Sequence, residues 1–172
     1  MSKEKRYNIS LRYIRKYVPK EEKILDLGTP NELSALIAKN GYTIENTGGE
    51  DLDDDFSAVQ TNKYNAVTAF EIFEHLLAPY NILKAIKAKK LVATVPLRLW
   101  FKSAFWNDDT EWDRHFHEFE VKQFLWLLKK TGWNVIESET WVSPTGQIGI
   151  RPLLRYFFPR YLIVYCERNG RT

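Results

Sequence analysis

A single cysteine, Cys166, and only three histidines are present in this 172-residue chain. One cysteine excludes an intrachain disulfide, and the simpler expectation is a reducing, cytoplasmic interior. Beside Ile163, Val164 and Tyr165, Cys166 reads as a buried thiol in a strand rather than a nucleophile. Long apolar runs are missing too. The charged start Met1-Ser2-Lys3-Glu4-Lys5-Arg6 is followed by none, which argues against a secretory leader. No stretch approaches the roughly 20 apolar residues of a membrane span, so no stable membrane insertion is expected. Nor is there a strong charge of one sign. A net charge of +3 is too slight and too evenly spread to point to nucleic acid.

What is present describes a globular protein. Hydrophobic residues make up 44% and charged residues 27%, and the length suits one domain over 1–172 with a proper core. Aromatics reach 15%, mostly in the second half, which suits either a pocket there or a Trp-rich core. No internal repeat, low-complexity tract or domain boundary interrupts the chain. The oligomeric state is left open.

Ile9, Tyr13, Ile14 and Tyr17 recur at helical spacing, so an N-terminal helix within 1–19 is expected, stopped by Pro19. Lys23 to Leu27 is a nearly continuous apolar run, as in a central parallel strand covered on both faces. Thr29-Pro30-Asn31-Glu32 reads as a capping box, with Thr29 as N-cap and Pro30 in the first helical position. That helix runs to Asn40-Gly41, and Tyr42 to Asn46 forms the next strand, closed by Thr47-Gly48-Gly49. Strand, helix and strand within about 25 residues make a right-handed βαβ unit. The acidic Glu50–Lys63 section is too short for another full unit, so a truncated third unit is expected, with a brief strand near Ala58 to Gln60. Further strands are expected over Tyr64–Phe70, Leu91–Val95, Trp133–Val142 and Tyr161–Glu167, and helices over Pro79–Lys87 and Glu118–Lys130. The link from Ser143 to Pro159 carries Pro144, Gly146, Gly149, Pro152 and Pro159. The result is a doubly wound α/β sheet with helices on both faces.

Five segments in order sharpen this: Ile24-Leu25-Asp26-Leu27-Gly28, Tyr64 to Glu71, Glu74-His75-Leu76, Leu91 to Pro96, and His117-Glu118-Phe119. Together, over roughly residues 20–167, they resemble the motifs of small-molecule class I S-adenosylmethionine-dependent methyltransferases. The resemblance implies a Rossmann-like, seven-stranded, mostly parallel sheet with its last strand antiparallel. It implies S-adenosylmethionine as cofactor and methyl transfer to an O or N atom of a small molecule. Cofactor contacts are implied at Asp26, Gly28, Ala69, Phe70, Glu71 and His75, with Glu50 and Asp51 as candidates for the ribose hydroxyls. The chain departs from the family at the glycines. Where Gly-x-Gly-x-Gly is usual, Gly28-Thr29-Pro30-Asn31-Glu32 is one residue shorter and keeps only Gly28, and Pro30 removes an N–H. A capping box explains those residues without any cofactor. A catalytically inactive, methyltransferase-like binding or scaffold protein is therefore the alternative.

Methyl transfer to a hydroxyl or amine needs a positioned acceptor and a proton acceptor. His115 and His117 follow Trp106 to Arg114 at the end of an expected substrate loop, residues 97–117, and are the favoured catalytic bases over His75. His115-Phe116-His117 with Asp108, Asp109 and Asp113 makes a weak metal set, and no metal is expected. Residues 150–161 interleave arginines with aromatics. Leu153, Leu154, Phe157 and Phe158 are expected to pack over the last two strands with the arginines reaching solvent, and contact with lipid or a partner is the weaker reading.

Overall fold

The structure, a computed structural model, describes residues 3–144 and 148–168. Met1 and Ser2 of the expected N-terminal helix, and Gly146 of the expected linker, lie outside the described residues. The helices are α1 (Lys3–Tyr17), α2 (Glu32–Lys39), α3 (Pro79–Ala85), α4 (Val121–Lys130) and α5 (Ile150–Leu154). The strands are β1 (Lys23–Asp26), β2 (Thr43–Asn46), β3 (Ala66–Phe70), β4 (Lys90–Pro96), β5 (Asn134–Trp141) and β6 (Tyr161–Glu167). They form one sheet in the order β2-β1-β3-β4-β6-β5. The first four strands are mutually parallel, and β6 runs antiparallel to both β4 and β5.

Successive strand side chains point to opposite faces, and both faces here are apolar. Leu25, Val67, Leu91, Ala93 and Val164 meet Ile82, Leu83, Phe124 and Leu128 of α3 and α4 on one side. Ile24, Ala66, Val92, Ile163 and Tyr165 meet Ile9, Tyr13, Ile14, Leu33 and Ile37 of α1 and α2 on the other. Tyr17 stacks on Tyr165 with ring centroids 3.8 Å apart. Continuous apolar runs are what a three-layer α/β/α sandwich requires of its inner strands. Cys166 is fully buried, and burial pushes its thiol up to about 12, so it is an inert core residue.

Five expectations are corrected. The sheet has six strands among the described residues, not seven. The segment around Ala58 is a three-residue 3-10 turn, Ser57–Val59, rather than a strand. Asp51 Oδ1 accepts the Asp53 N–H at 2.9 Å and Asp55 Oδ1 the Ser57 N–H at 2.8 Å. Such local bonds favour turns over extended chain. Helix α2 starts two residues later than expected: Asn31 is its N-cap, taking the Leu33 and Ser34 amides at 2.9 and 3.1 Å. Ser34 Oγ accepts the Asn31 N–H in return, at 3.0 Å.

Helix α4 likewise begins after Glu120, because Phe119 is held in extended pairing with Leu97, and its carbonyl accepts the Arg98 N–H at 2.9 Å. Finally, the 150–158 side chains do not pack down over β5 and β6. Leu153 is 58% exposed and Phe157 72%, while Arg160, expected outside, is buried. Its guanidinium donates to the Leu97 carbonyl at 2.7 Å and to Glu118 Oε1 at 3.3 Å.

Candidate functional site

The C-terminal ends of β1, β2 and β3 open into a cleft of about 700 Å³. In open α/β sheets ligands bind at this edge, and the volume lies in the usual range for small-molecule sites. One wall is the β1–α2 loop, with Gly28, Thr29 and Asn31. A second is the turn after β2, Thr47 to Asp53. A third is Glu71, Ile72 and His75 after β3, and a fourth is the loop from Glu111 to Phe116.

The β1 end is built by bonds between strands. Asp26 is buried. Its Oδ1 accepts Thr68 Oγ1–H at 2.5 Å and its Oδ2 accepts Asn46 Nδ2–H at 3.0 Å. Asn46 also donates to the Gly28 carbonyl at 3.1 Å, and the Gly28 N–H donates to Thr47 Oγ1 at 2.7 Å. The glycine loop is thus bolted to the end of β2. Gly28 has φ +100°, which favours glycine, and a Cβ there would lie 3.1 Å from Ile72 Cδ1, so that side chain would have to shift. Burial pushes the Asp26 carboxyl up to about 6 against the pull of its donors.

The third wall concentrates charge in a dry setting. Glu71 sits at φ +58°, a left-handed conformation at the strand end that non-glycine residues adopt at a cost. Its Oε2 is 3.4 Å from Arg6 Nη1 of α1. Burial raises the carboxyls of Glu71 and Glu74, and for Glu74 the neighbouring Glu71 charge adds to it. Burial lowers His75, and it takes His115 down to about 4 with help from His75 and Arg160, so both imidazoles are neutral at neutral pH.

Of the expected cofactor residues, Gly28, Glu50, Asp51, Glu71 and His75 line the cleft. Asp26, Ala69 and Phe70 do not; they form its buried or half-buried support. His75 closes a 3-10 turn, Phe73–His75. Neither His115 nor His117 lines the cleft. His117 Nε2 lies 3.2 Å from the Leu77 carbonyl, with the ring stacked on Phe119. His115 sits edge-on to His75. The two rings therefore do not converge on one face, and Asp108, Asp109 and Asp113, weighed with them as a weak metal set, do not assemble around both.

Several contributors escaped the sequence reading. Asn46 and Thr47 hold the glycine loop. Asp53 accepts the Leu77 and Ala78 amides at 2.7 and 2.8 Å, tying the acidic segment to the start of α3. The Thr47-Gly48-Gly49 turn was the visible signal for the first pair; nothing local marked Asp53.

A family model for the methyltransferase domain matches residues 4–138, well over half of the chain. No curated protein matches it in sequence. Solved structures share the fold. The 1,6-didemethyltoxoflavin-N1-methyltransferase of Burkholderia thailandensis, with 1,6-didemethyltoxoflavin and S-adenosylhomocysteine bound, is 10% identical, with a TM-score of 0.68 over 98% of this chain and 80% of that one. A putative S-adenosylmethionine-dependent methyltransferase from Listeria monocytogenes is 12% identical, with a TM-score of 0.60 over 94% and 98%. The 4+2 cyclase SpnF is 11% identical, with a TM-score of 0.60 over 96% and 81%. Strand order, the placement of the cleft and the family match agree: this chain belongs to the class I S-adenosylmethionine-dependent methyltransferases, whose cofactor is S-adenosylmethionine.

Proposed function

We propose that the chain binds S-adenosylmethionine in this cleft and transfers the methyl group to an oxygen or nitrogen atom of a small molecule. The observation that carries the reading is the cleft's make-up. A Cβ-free Gly28 stands on one wall and two carboxylates, Glu50 and Asp51, on the wall after β2. When bound, the cofactor supplies a methyl group activated by its sulfonium. Gly28 lets the backbone approach closely. Glu50, the half-buried member of the acidic pair, is assigned the ribose hydroxyls, since Asp51 already accepts an amide of its own turn.

Asp26, Asn46, Ala69 and Phe70 keep this framework rigid, which counts because methyl transfer depends chiefly on positioning. The acceptor end is the wall of Trp112, Arg114 and Phe116 opposite His75. Flat apolar faces beside charged groups suit a small polar molecule, and the Burkholderia neighbour holding 1,6-didemethyltoxoflavin supports an acceptor of that kind. No described helix is long and apolar enough to cross a membrane.

A second reading, a catalytically inactive methyltransferase-like scaffold, draws on one observation. The first free amides of α2 are already taken by Asn31, so they are not open to a ligand. Calorimetry with S-adenosylmethionine and S-adenosylhomocysteine separates the two. Micromolar binding is expected, weakened at least about ten-fold in Gly28→Val, where φ +100° and the Ile72 contact oppose a side chain. Absence of binding at about 1 mM ligand would leave only the scaffold.

A further inference from the structure

Beside the cleft-facing ring of His75 lies a group of donor atoms that methyl transfer, as assigned above, does not use. Glu74 is fully buried, and neither of its carboxylate oxygens has a hydrogen-bond partner. A buried carboxylate left without donors is costly, so it points to an absent positive partner. The backbone holds the group rigidly, since the Glu74 carbonyl accepts the Phe116 and His117 amides at 2.8 and 3.2 Å. His75 Nδ1 lies 3.1 Å from the Arg114 carbonyl oxygen. That oxygen can only accept, so the ring proton sits on Nδ1 and the Nε2 lone pair is free, 3.9 Å from Glu74 Oε1. A backbone carbonyl fixing the far nitrogen is the usual way a ligating imidazole is oriented. His115 meets His75 edge-on with ring centroids 4.9 Å apart, and its buried Nδ1 has no hydrogen-bond partner. One donor atom each from Glu74, His75 and His115 lies within 4.8 Å of the others.

We infer that Glu74, His75 and His115 form a binding site for one divalent first-row transition-metal ion, beside the cleft-facing ring of His75. Ligand bonds of about 2.0–2.1 Å put neighbouring donors of a tetrahedral ion about 3.4 Å apart, so side-chain shifts of about 1 Å would close the set. Two imidazoles and a carboxylate suit zinc or manganese and disfavour magnesium and calcium, which take oxygen ligands. The buried Glu71 carboxylate beside Glu74 adds negative charge that a cation would offset. The sequence expectation of no metal set weighed His115 with His117. The fold instead joins His115 to the Glu74-His75 pair, about forty residues away in the chain. Three protein ligands leave a fourth coordination position for water, and the ion site does not depend on the methyl-transfer reading.

The test is calorimetric titration of chelator-treated full-length protein with zinc, manganese and magnesium chlorides, without S-adenosylmethionine. One zinc or manganese ion per chain is expected to bind at micromolar concentration or below, with magnesium at least about ten-fold weaker. Glu74→Gln and His115→Ala are each expected to lose about ten-fold or more in affinity. Glu74→Gln keeps the volume and removes a buried charge, so it is the variant that stays folded if His115→Ala does not. The inference is overturned if zinc and manganese show no saturable binding below about 1 mM. It also falls if Glu74→Gln binds them like the parent, or if magnesium binds as tightly. Retained S-adenosylhomocysteine binding alongside any of these results would leave the methyl-transfer reading standing.

Discussion

Replacing Asp26 with Asn tests how the floor of the site is held. Asp26 is nearly solvent-free, and its carboxyl is pushed from an ordinary 3.8 up to about 6 by burial, even though Thr68 and Asn46 donate to it. The direction of the linkage follows. Below the unfolded value the group is protonated in both states and its stabilisation is intact. Between the two values the native state holds a proton that the unfolded chain has released, so stability falls as pH rises, and the loss is complete above about 6. A shift of about two units at 1.36 kcal/mol each is about 3 kcal/mol. An amide cannot ionise, so Asp26→Asn escapes this loss, minus about 1 kcal/mol for a less well-directed hydrogen bond.

The variant should therefore be about 2 kcal/mol more stable than the parent near pH 7.5, a rise in Tm of about 4–8 °C for this length. Near pH 4 the gain should vanish. Urea unfolding of both proteins across that range measures the difference, in which the similar contributions of Glu71 and Glu74 cancel. A variant no more stable than the parent at neutral pH, or a gain that does not change with pH, would refute the reasoning.

Two further outcomes follow from packing. Arg160→Ala should cost about 3–5 kcal/mol in chemical denaturation, because it strands the buried Glu118 carboxylate and the Leu97 carbonyl; a loss under about 1 kcal/mol would mean the pair is open to water. Phe157→Ser should change stability by less than about 0.5 kcal/mol, since the ring is 72% exposed, and a large loss in a thermal melt would restore the packing expected from the sequence.

How much of this was legible depends on how far apart the interacting residues lie. The inner strands were readable because two covered faces demand unbroken apolar runs, as in Leu91 to Val95. The cleft was readable at Gly28, Glu50, Asp51, Glu71 and His75 because each sits just after a strand. Contacts spanning long separations left no local mark: Asn46 to Asp26, His75 to Arg114, and Arg6 to Glu71 are 20, 39 and 65 residues apart. His115 and His117 illustrate the converse. Alternation in an extended segment suggests a shared face, but the backbone bonds of Phe116 and His117 to Glu74 turn the two rings to different neighbours.

The glycine loop is where that difference matters most for function. Read as sequence, a helix capped by Thr29 begins at Pro30, immediately beyond the one glycine, and accounts for the segment after β1 without a cofactor. In the fold, Asn31 outcompetes Thr29 as cap, since its side chain takes two amides and Ser34 answers with a third bond. The helix start moves to Glu32, and Thr29 and Pro30 pass into the loop. Asn31→Ala, which removes the cap without touching Gly28, should weaken α2 by about 1 kcal/mol, and it should weaken cofactor binding only in so far as the loop's length depends on where the helix begins.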